Sequence, residues 1–89
     1  MDKELIDNID RLHTTGMGEE RIRGNLGLGG TDAVAWCRER ILDGNAIMER
    51  RGKNWYVHAD GCVITVNAGS CTIITAHREK TGRKKGRTE

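Results

Sequence analysis

The spacing of hydrophobic positions changes near the middle of the chain. Before residue 45, apolar side chains recur every three or four positions, as on one face of a helix. From Ala46 onward they alternate with polar ones, as in a strand. Helices followed by strands are typical of the α+β class. The sequence therefore predicts two or three N-terminal helices and a four-stranded antiparallel β-meander packed on them. This single domain should cover residues 1–78, followed by a basic, disordered tail over residues 79–89.

Three segments have helical spacing and recognisable ends. Asp2 is the expected N-cap of the first helix, and Thr31 that of the third. Glycines after Leu26 should end the second helix, and Gly44 should end the third in a left-handed conformation. The expected bounds are Asp2 to about His13, Gly18 to Leu26 and Thr31 to Asp43.

Four segments alternate in the manner of strands and are separated by turn residues. Asp60-Gly61 is a strong hairpin signal, because a type I′ turn needs two residues that tolerate positive φ. Gly52 and Ala68-Gly69 mark the other two turns. The predicted strands cover residues 46–50, 54–58, 62–67 and 71–77.

Two-residue turns at Asp60-Gly61 and Ala68-Gly69 would also fix the register of the last three strands. The predicted pairs are Val57 with Ile64, Trp55 with Val66, Val66 with Cys71 and Ile64 with Ile73. One sheet face is then apolar, with Thr75 and His77 continuing it toward its end. The opposite face should be mixed, carrying Tyr56, His58, Val63, Thr65, Asn67, Thr72 and Ile74.

Composition narrows the class of protein. The chain of 89 residues is 36% hydrophobic and has no Phe, so its core must consist mainly of Ile, Leu, Val, Cys and Met. Three cysteines without CxxC spacing indicate reduced thiols, not a disulfide framework or a zinc site. The glycines at 27–30 do not follow a strand, as a dinucleotide fingerprint requires, and no segment resembles a membrane span. A soluble cytoplasmic protein without metal or cofactor is expected.

The net charge of +2 is concentrated at the C-terminus. Five Lys and Arg residues lie between positions 80 and 87, and without them the rest of the chain is slightly acidic. Electrostatic attraction of nucleic acid would therefore be local to the tail. A homodimer is one way in which so small a protein could bury more surface.

The histidines are candidates for acid–base chemistry, because imidazole changes its charge near neutral pH. His77 ends the last predicted strand, and Thr75 two residues earlier would orient it or the substrate. His13 would supply a second proton-transfer group if the end of the first helix meets the same rim of the fold. Metal-independent cleavage of RNA needs such a base and acid, together with cations for the phosphorane charge.

Other side chains are suited to contacts with RNA. Tyr56 offers a ring for stacking against an unpaired base. Arg21 and Arg78 are candidates for phosphate contacts. The full set of predicted RNA-binding residues is Arg21, Arg78, Lys53, Tyr56, His58 and Asn67.

Four segments are distinctive in combination: LHTTGMGEERIRGNL (12–26), AVAWC (33–37), GKNWYV (52–57) and CVITVNAGSCTIITAHR (62–78). Together they resemble a family of small bacterial and phage proteins, domain of unknown function 3781, for which the resemblance implies no activity. A looser resemblance in the order of elements is to the superfamily of barnase, the EndoU nucleases, tRNA-cleaving colicin domains and RelE toxins. It implies catalytic groups on the sheet and at strand ends, roles that only His77, Thr75 and His13 fit.

Two classes of function stay open. The first is a toxin-like domain that binds RNA, or cleaves it as a metal-independent endoribonuclease. The second is a non-catalytic module of a phage or mobile element that binds a host protein, or a second copy of itself, through the exposed sheet face. In that case Val63 and Ile74 are the expected apolar contacts.

Overall fold

The computed structural model describes residues 4–79. In this part of the chain all helices come before the first strand. The strands form one antiparallel sheet in sequence order, so the predicted α+β meander is confirmed. Asp2 and the tail from Lys80 onward lie outside the described residues. The elements are α1 (Glu4–Asp7), a 3-10 turn (Ile9–Arg11), α2 (Gly16–Leu26), α3 (Ala33–Ile41), β1 (Ile47–Arg51), β2 (Asn54–Ala59), β3 (Cys62–Asn67) and β4 (Thr72–Arg78).

The helices differ from the predicted ones mainly at their ends. The side chain of Asn8 donates to the carbonyl of Glu4 at 2.9 Å, a local contact that competes with helix continuation, and α1 ends at Asp7. The N-cap of α3 is Asp32 and not Thr31, because Asp32 Oδ1 accepts from the Ala35 amide at 3.1 Å. The predicted left-handed Gly44 is wrong, since α3 ends through Leu42 in a right-handed conformation.

The core lies between the helices and one face of the sheet, called here the inner face. Ile22, Cys37 and Ile41 reach it from α2 and α3, and each has no exposed surface. The inner face supplies Trp55, Val57, Ile64, Val66, Ile73 and Ala76, all at most 3% exposed. Desolvation of these side chains is the main force that holds the helices on the sheet.

The hairpin of β2 and β3 has the predicted register. Asp60 and Gly61 have φ angles of 53° and 73°, as a type I′ turn requires, and Val57 faces Ile64. The register of the next hairpin, β3 with β4, was predicted incorrectly. Val66 faces Ile73 and not Cys71, and Ile64 faces Ala76 and not Ile73.

Two local features produce the changed register. The loop between β3 and β4 is longer than predicted, because Asn67 Oδ1 accepts from the amides of Gly69 and Ser70 at 3.0 and 3.1 Å. In addition, Ile74 is an extra residue with no partner in β3, which forms a β-bulge. Because one extra residue reverses the alternation, Ala76 enters the core, and Thr75 and His77 turn to the other sheet face. The prediction that they continue the apolar face is therefore wrong.

The outer edge of β4 is covered by the chain that precedes α2. The amide of Ile73 donates to the carbonyl of His13 at 2.7 Å, and the amide of His13 donates to Cys71 at 3.1 Å. The hydroxyl of Thr14 adds a bond to the Ile73 carbonyl at 2.8 Å. These bonds satisfy an edge that would otherwise be open to pairing.

Candidate functional site

The face of the sheet turned away from the helices, called here the outer face, collects most of the predicted site residues. Ladder partners align its side chains in rows across the strands. One row contains Ile47, His58, Val63 and His77, and the next contains Glu49, Tyr56, Thr65 and Thr75. Since neighbouring strands lie about 4.8 Å apart, the backbones of His58 and His77 are separated by about 10 Å. The bulge thus brings two of the three histidines into one row.

His77 is exposed, and its ring has a defined proton position when neutral. Its Nδ1 lies 3.1 Å from the carbonyl oxygen of Arg78. A carbonyl oxygen only accepts, so Nδ1 must carry the hydrogen and Nε2 must hold the lone pair. This arrangement suits a general base, because Nε2 is the nitrogen left for a substrate.

His58 lies between two carboxylates. Its Nδ1 is 2.9 Å from Glu79 Oε2, and its Nε2 is 3.6 Å from Glu49 Oε1. An ionised carboxylate accepts, so Glu79 can hold the Nδ1–H group of an imidazolium ion, whereas Glu49 lies beyond hydrogen-bond distance of Nε2 and adds only a nearby negative charge. This arrangement suits a proton donor.

A cleft of about 530 Å³ opens beside His77, between β4 and α2, and is lined by Asn25, His77, Arg78 and Glu79. Asn25 donates to the carbonyl of Ala76 at 3.2 Å. Arg78 donates to the carbonyl of Leu26 at 3.3 Å, at the C-terminal end of α2, where a cation is favoured. The side chains of Asn25 and Arg78 are therefore held in the wall of the cleft by bonds to the backbone.

Arg21 lies on α2, one helical turn before Asn25, and its side chain is exposed. Asn25 is bonded to Ala76, so the stripe of α2 that contains Arg21 follows β4 toward the cleft. Arg21 is thus on the same helical stripe as Asn25, which lines the cleft.

The other predicted RNA-binding residues occupy different parts of the outer face. The guanidinium of Arg51 lies 5.5 Å from the ring centre of Tyr56, a cation–π contact that leaves the ring half-buried. Lys53 is exposed in the turn between β1 and β2. The side-chain oxygen of Asn67 accepts hydrogen bonds from amides of the loop before β4. That oxygen therefore stabilises the loop.

His13 is not brought near His77. It pairs with Thr72 at the start of β4, and its Nε2 lies 3.0 Å from the Thr72 hydroxyl. At about 3.3 Å per residue, Thr72 and His77 lie about 16 Å apart along the strand. The two histidines therefore belong to opposite ends of β4.

Several residues of the site were not found by sequence reasoning. Glu79, Glu49 and Asn25 contact the histidines or line the cleft, although they lie outside any motif. Glu49 could have been found from the register, since a two-residue turn at Gly52-Lys53 places it in the row of Tyr56. Asn25 and Glu79 depend on packing between distant elements and carry no local signal.

The cysteines offer no reactive nucleophile. All three are buried and free. Burial, with a smaller contribution from the nearby Cys62, raises the pKa of Cys37 to about 12. Burial also raises the pKa of Cys62. Both thiols therefore stay protonated, and hence weakly nucleophilic, at neutral pH.

Within residues 4–79, no group of three or more His, Cys, Asp and Glu side chains is arranged to hold a metal ion. Over the same residues, no helix has the length and apolar character needed to cross a bilayer.

Comparison with known proteins identifies a family but no activity. A family model described as protein of unknown function (DUF3781) matches residues 6–77. No curated protein and no solved structure matches the chain. The matched range includes the whole of the row that contains His58 and His77.

Proposed function

The chain belongs to the family of proteins of unknown function DUF3781, whose description assigns no activity, and from its site we propose that it is a toxin-like RNA-binding domain that cleaves RNA by acid–base catalysis. The observation that carries the proposal is the row of the outer face in which His58 and His77 flank Val63. Within residues 4–79, the Nε2 of His77 has no hydrogen-bond partner, and the Nδ1 of His58 is held by the carboxylate of Glu79. A base and an acid on either side of one position is what transesterification of RNA requires.

The reaction follows from these two environments. His77 Nε2 takes the proton of a ribose 2′-hydroxyl, and the 2′-oxygen attacks the adjacent phosphorus. The bond from phosphorus to the 5′-oxygen breaks, and His58 in its imidazolium form gives its Nε2 proton to that oxygen. The products are a 2′,3′-cyclic phosphate and a 5′-hydroxyl, and the two histidines end in exchanged protonation states.

The neighbouring groups supply the remaining contacts. The hydroxyl of Thr75 lies in the adjacent row and is placed to donate to a phosphate oxygen. Arg78 brings positive charge to the cleft, Arg21 lies one helical turn from Asn25 in its wall, and Tyr56 offers a ring to an unpaired base. His13 has no part in this reaction, because it lies at the other end of β4.

The chain contains a matched control for the test, since one of its three histidines lies outside the site. Cleavage of tRNA and mRNA is measured in EDTA for the wild type and for His77→Ala, His58→Ala and His13→Ala. We expect loss of at least about 100-fold for His77→Ala and His58→Ala, and a nearly unchanged rate for His13→Ala. Equal rates in all four proteins, or no cleavage by the wild type, would refute the enzymatic proposal.

A second candidate function, binding of a host protein or a second copy through the outer face, is favoured by one observation. Ile47 is 64% exposed on that face and the bulged Ile74 is 38% exposed, whereas Val63 is only 9% exposed because His58 and His77 flank it. Light scattering after size exclusion should show association that is lost in Ile47→Lys and kept in Leu42→Lys. A monomeric wild type that retains no protein partner contradicts this function.

A further inference from the structure

Glu79 connects the two histidines of the candidate site. It lines the cleft beside His77, and its Oε2 lies 2.9 Å from Nδ1 of His58. It also lies two residues beyond the range that the family model matches. The side chains of Glu79 and His58 are 35% and 30% exposed, so their contact is partly shielded from water.

The backbone holds Glu79 in this position. Its amide donates to the carbonyl of Gly61 at 2.9 Å, which adds one bond beyond the last ladder pair, Cys62 with Arg78. Gly61 itself belongs to the tight turn between β2 and β3. The carboxylate of Glu79 therefore reaches His58 from a backbone position that two strands determine.

We propose that Glu79 is a positioning residue for His58, a proposal that rests on the proposed cleavage of RNA. An ionised carboxylate only accepts hydrogen bonds, so the contact requires that Nδ1 of His58 carries a hydrogen. The nitrogen that exchanges a proton with the substrate is then Nε2. Glu79 fixes both which nitrogen is protonated and the direction of the ring. A carboxylate bonded to Nδ1–H has this effect on catalytic histidines in general.

The other carboxylate near His58 does not compete for this role. Glu49 Oε1 lies 3.6 Å from Nε2, beyond hydrogen-bond distance, and only 3.0 Å from Arg51. The guanidinium of Arg51 thus balances the charge of Glu49. Among the described residues Nε2 has no partner at hydrogen-bond distance, so it is the nitrogen left for the 5′-oxygen of a substrate. When His58 gives up its Nε2 proton, it becomes neutral, keeps Nδ1–H bonded to Glu79, and leaves Glu79 ionised.

The alternative is that Glu79 only attaches the end of β4 to the sheet. The tautomer of His58 separates the two roles and needs no RNA. Long-range ¹H–¹⁵N NMR spectra of the full chain are recorded at about pH 9, above the ordinary titration range of histidine. We expect protonated Nδ1 in the wild type and in Glu79→Gln, whose amide oxygen still accepts. In Glu79→Ala the proton should move largely to Nε2.

The catalytic consequence is measured on the same proteins. We expect kcat to fall by about 10- to 100-fold in Glu79→Ala and by a smaller factor in Glu79→Gln. Glu20 is an exposed residue of α2, so Glu20→Gln should leave kcat unchanged and serves as the surface control. An unchanged tautomer in Glu79→Ala overturns the proposal, as does a changed tautomer with unchanged kcat. If the wild type cleaves no RNA, the proposed function fails, and the tautomer still decides whether Glu79 orients His58.

Discussion

The two hairpins that share strand β3 differ in the regularity of their turns and ladders. In the hairpin of β2 and β3, two residues with positive φ, Asp60 and Gly61, close an uninterrupted ladder. In the hairpin of β3 and β4, the loop ends on Cys71, a non-glycine residue with a φ of 59°, and Ile74 interrupts the ladder. The first hairpin is regular, and the second contains both irregularities of the sheet.

The irregular hairpin is the one that builds the candidate site. A regular ladder with the predicted pairing would turn His77 toward the helices, whereas the bulge turns it to the outer face beside Val63 and His58. Bulges are often found where a side chain has to be redirected. The bulge leaves Ile74 without a backbone partner in β3. The same bulge places His77, the proposed base, on the outer face.

The largest expected effect tests which residues of β4 face the core. Ala76 has no exposed surface, because the bulge places it opposite Ile64 under the helices. Ala76→Lys would bury a charge without a partner, and we expect it to lower the free energy of unfolding by at least about 3–5 kcal/mol, enough to unfold a domain of this size. Urea unfolding followed by circular dichroism measures the change.

The matched control for this prediction is the neighbouring residue. His77 is exposed on the outer face, so His77→Lys should change the stability by about 0.5 kcal/mol or less. If the regular register were correct, the two results would be reversed. A stable Ala76→Lys together with an unfolded His77→Lys would remove the structural basis of the site.

The contrast between the two hairpins also shows which parts of the structure can be predicted from the sequence. Asp60-Gly61 predicted its hairpin correctly because the turn type depends on two adjacent residues. The loop before β4 depends on the side chain of Asn67 and on pairing with His13, which lies more than fifty residues earlier. Local pattern therefore predicted the fold class and the inner face of β2 and β3. It could not predict the face on which His77 lies.

A smaller effect concerns the buried thiols near the regular hairpin. The pKa of Cys37 is raised from 9.0 to about 12 by burial and by Cys62, which begins β3. A thiol with a higher pKa in the folded state contributes stability that is complete below pH 9 and lost as the pH rises toward 12, because unfolding releases its proton. We expect a loss of about 2 kcal/mol by about pH 10.5.

Urea unfolding at several pH values, compared between the wild type and Cys37→Ala, isolates this contribution. The variant starts from a lower stability because it leaves a cavity, but its stability should fall less steeply above pH 9. Parallel curves for the two proteins would show that the Cys37 thiol does not link stability to pH.

Alanine substitution of one glycine in each loop compares how strongly the two loops depend on backbone conformation. Gly61 has a φ of 73°, so Gly61→Ala should cost about 1–2 kcal/mol, although a Cβ would meet no atom there. Gly69 lies in the irregular loop outside the positive-φ region, and its added Cβ would come within 3.5 Å of Asn67 Oδ1, an ordinary contact. Gly69→Ala should therefore change the unfolding midpoint very little. Equal costs would mean that the two loops do not differ in backbone conformation.

The smallest expected effect is the sharpest test of the bulge. Ile74 has no ladder partner, so its deletion should let Ile73 and Thr75 continue the pairing with Val66 and Thr65. The faces of Thr75, Ala76 and His77 would then be preserved, and we expect a loss of about 1 kcal/mol or less in urea unfolding. Deletion of Tyr56 from the uninterrupted ladder of β2 provides the comparison, since Tyr56 is paired on both sides and its loss turns neighbouring core residues to the outer face. If deletion of Ile74 destabilises the protein as strongly as deletion of Tyr56 does, Ile74 is not an extra residue of β4, and the row of His58 and His77 has to be assigned again.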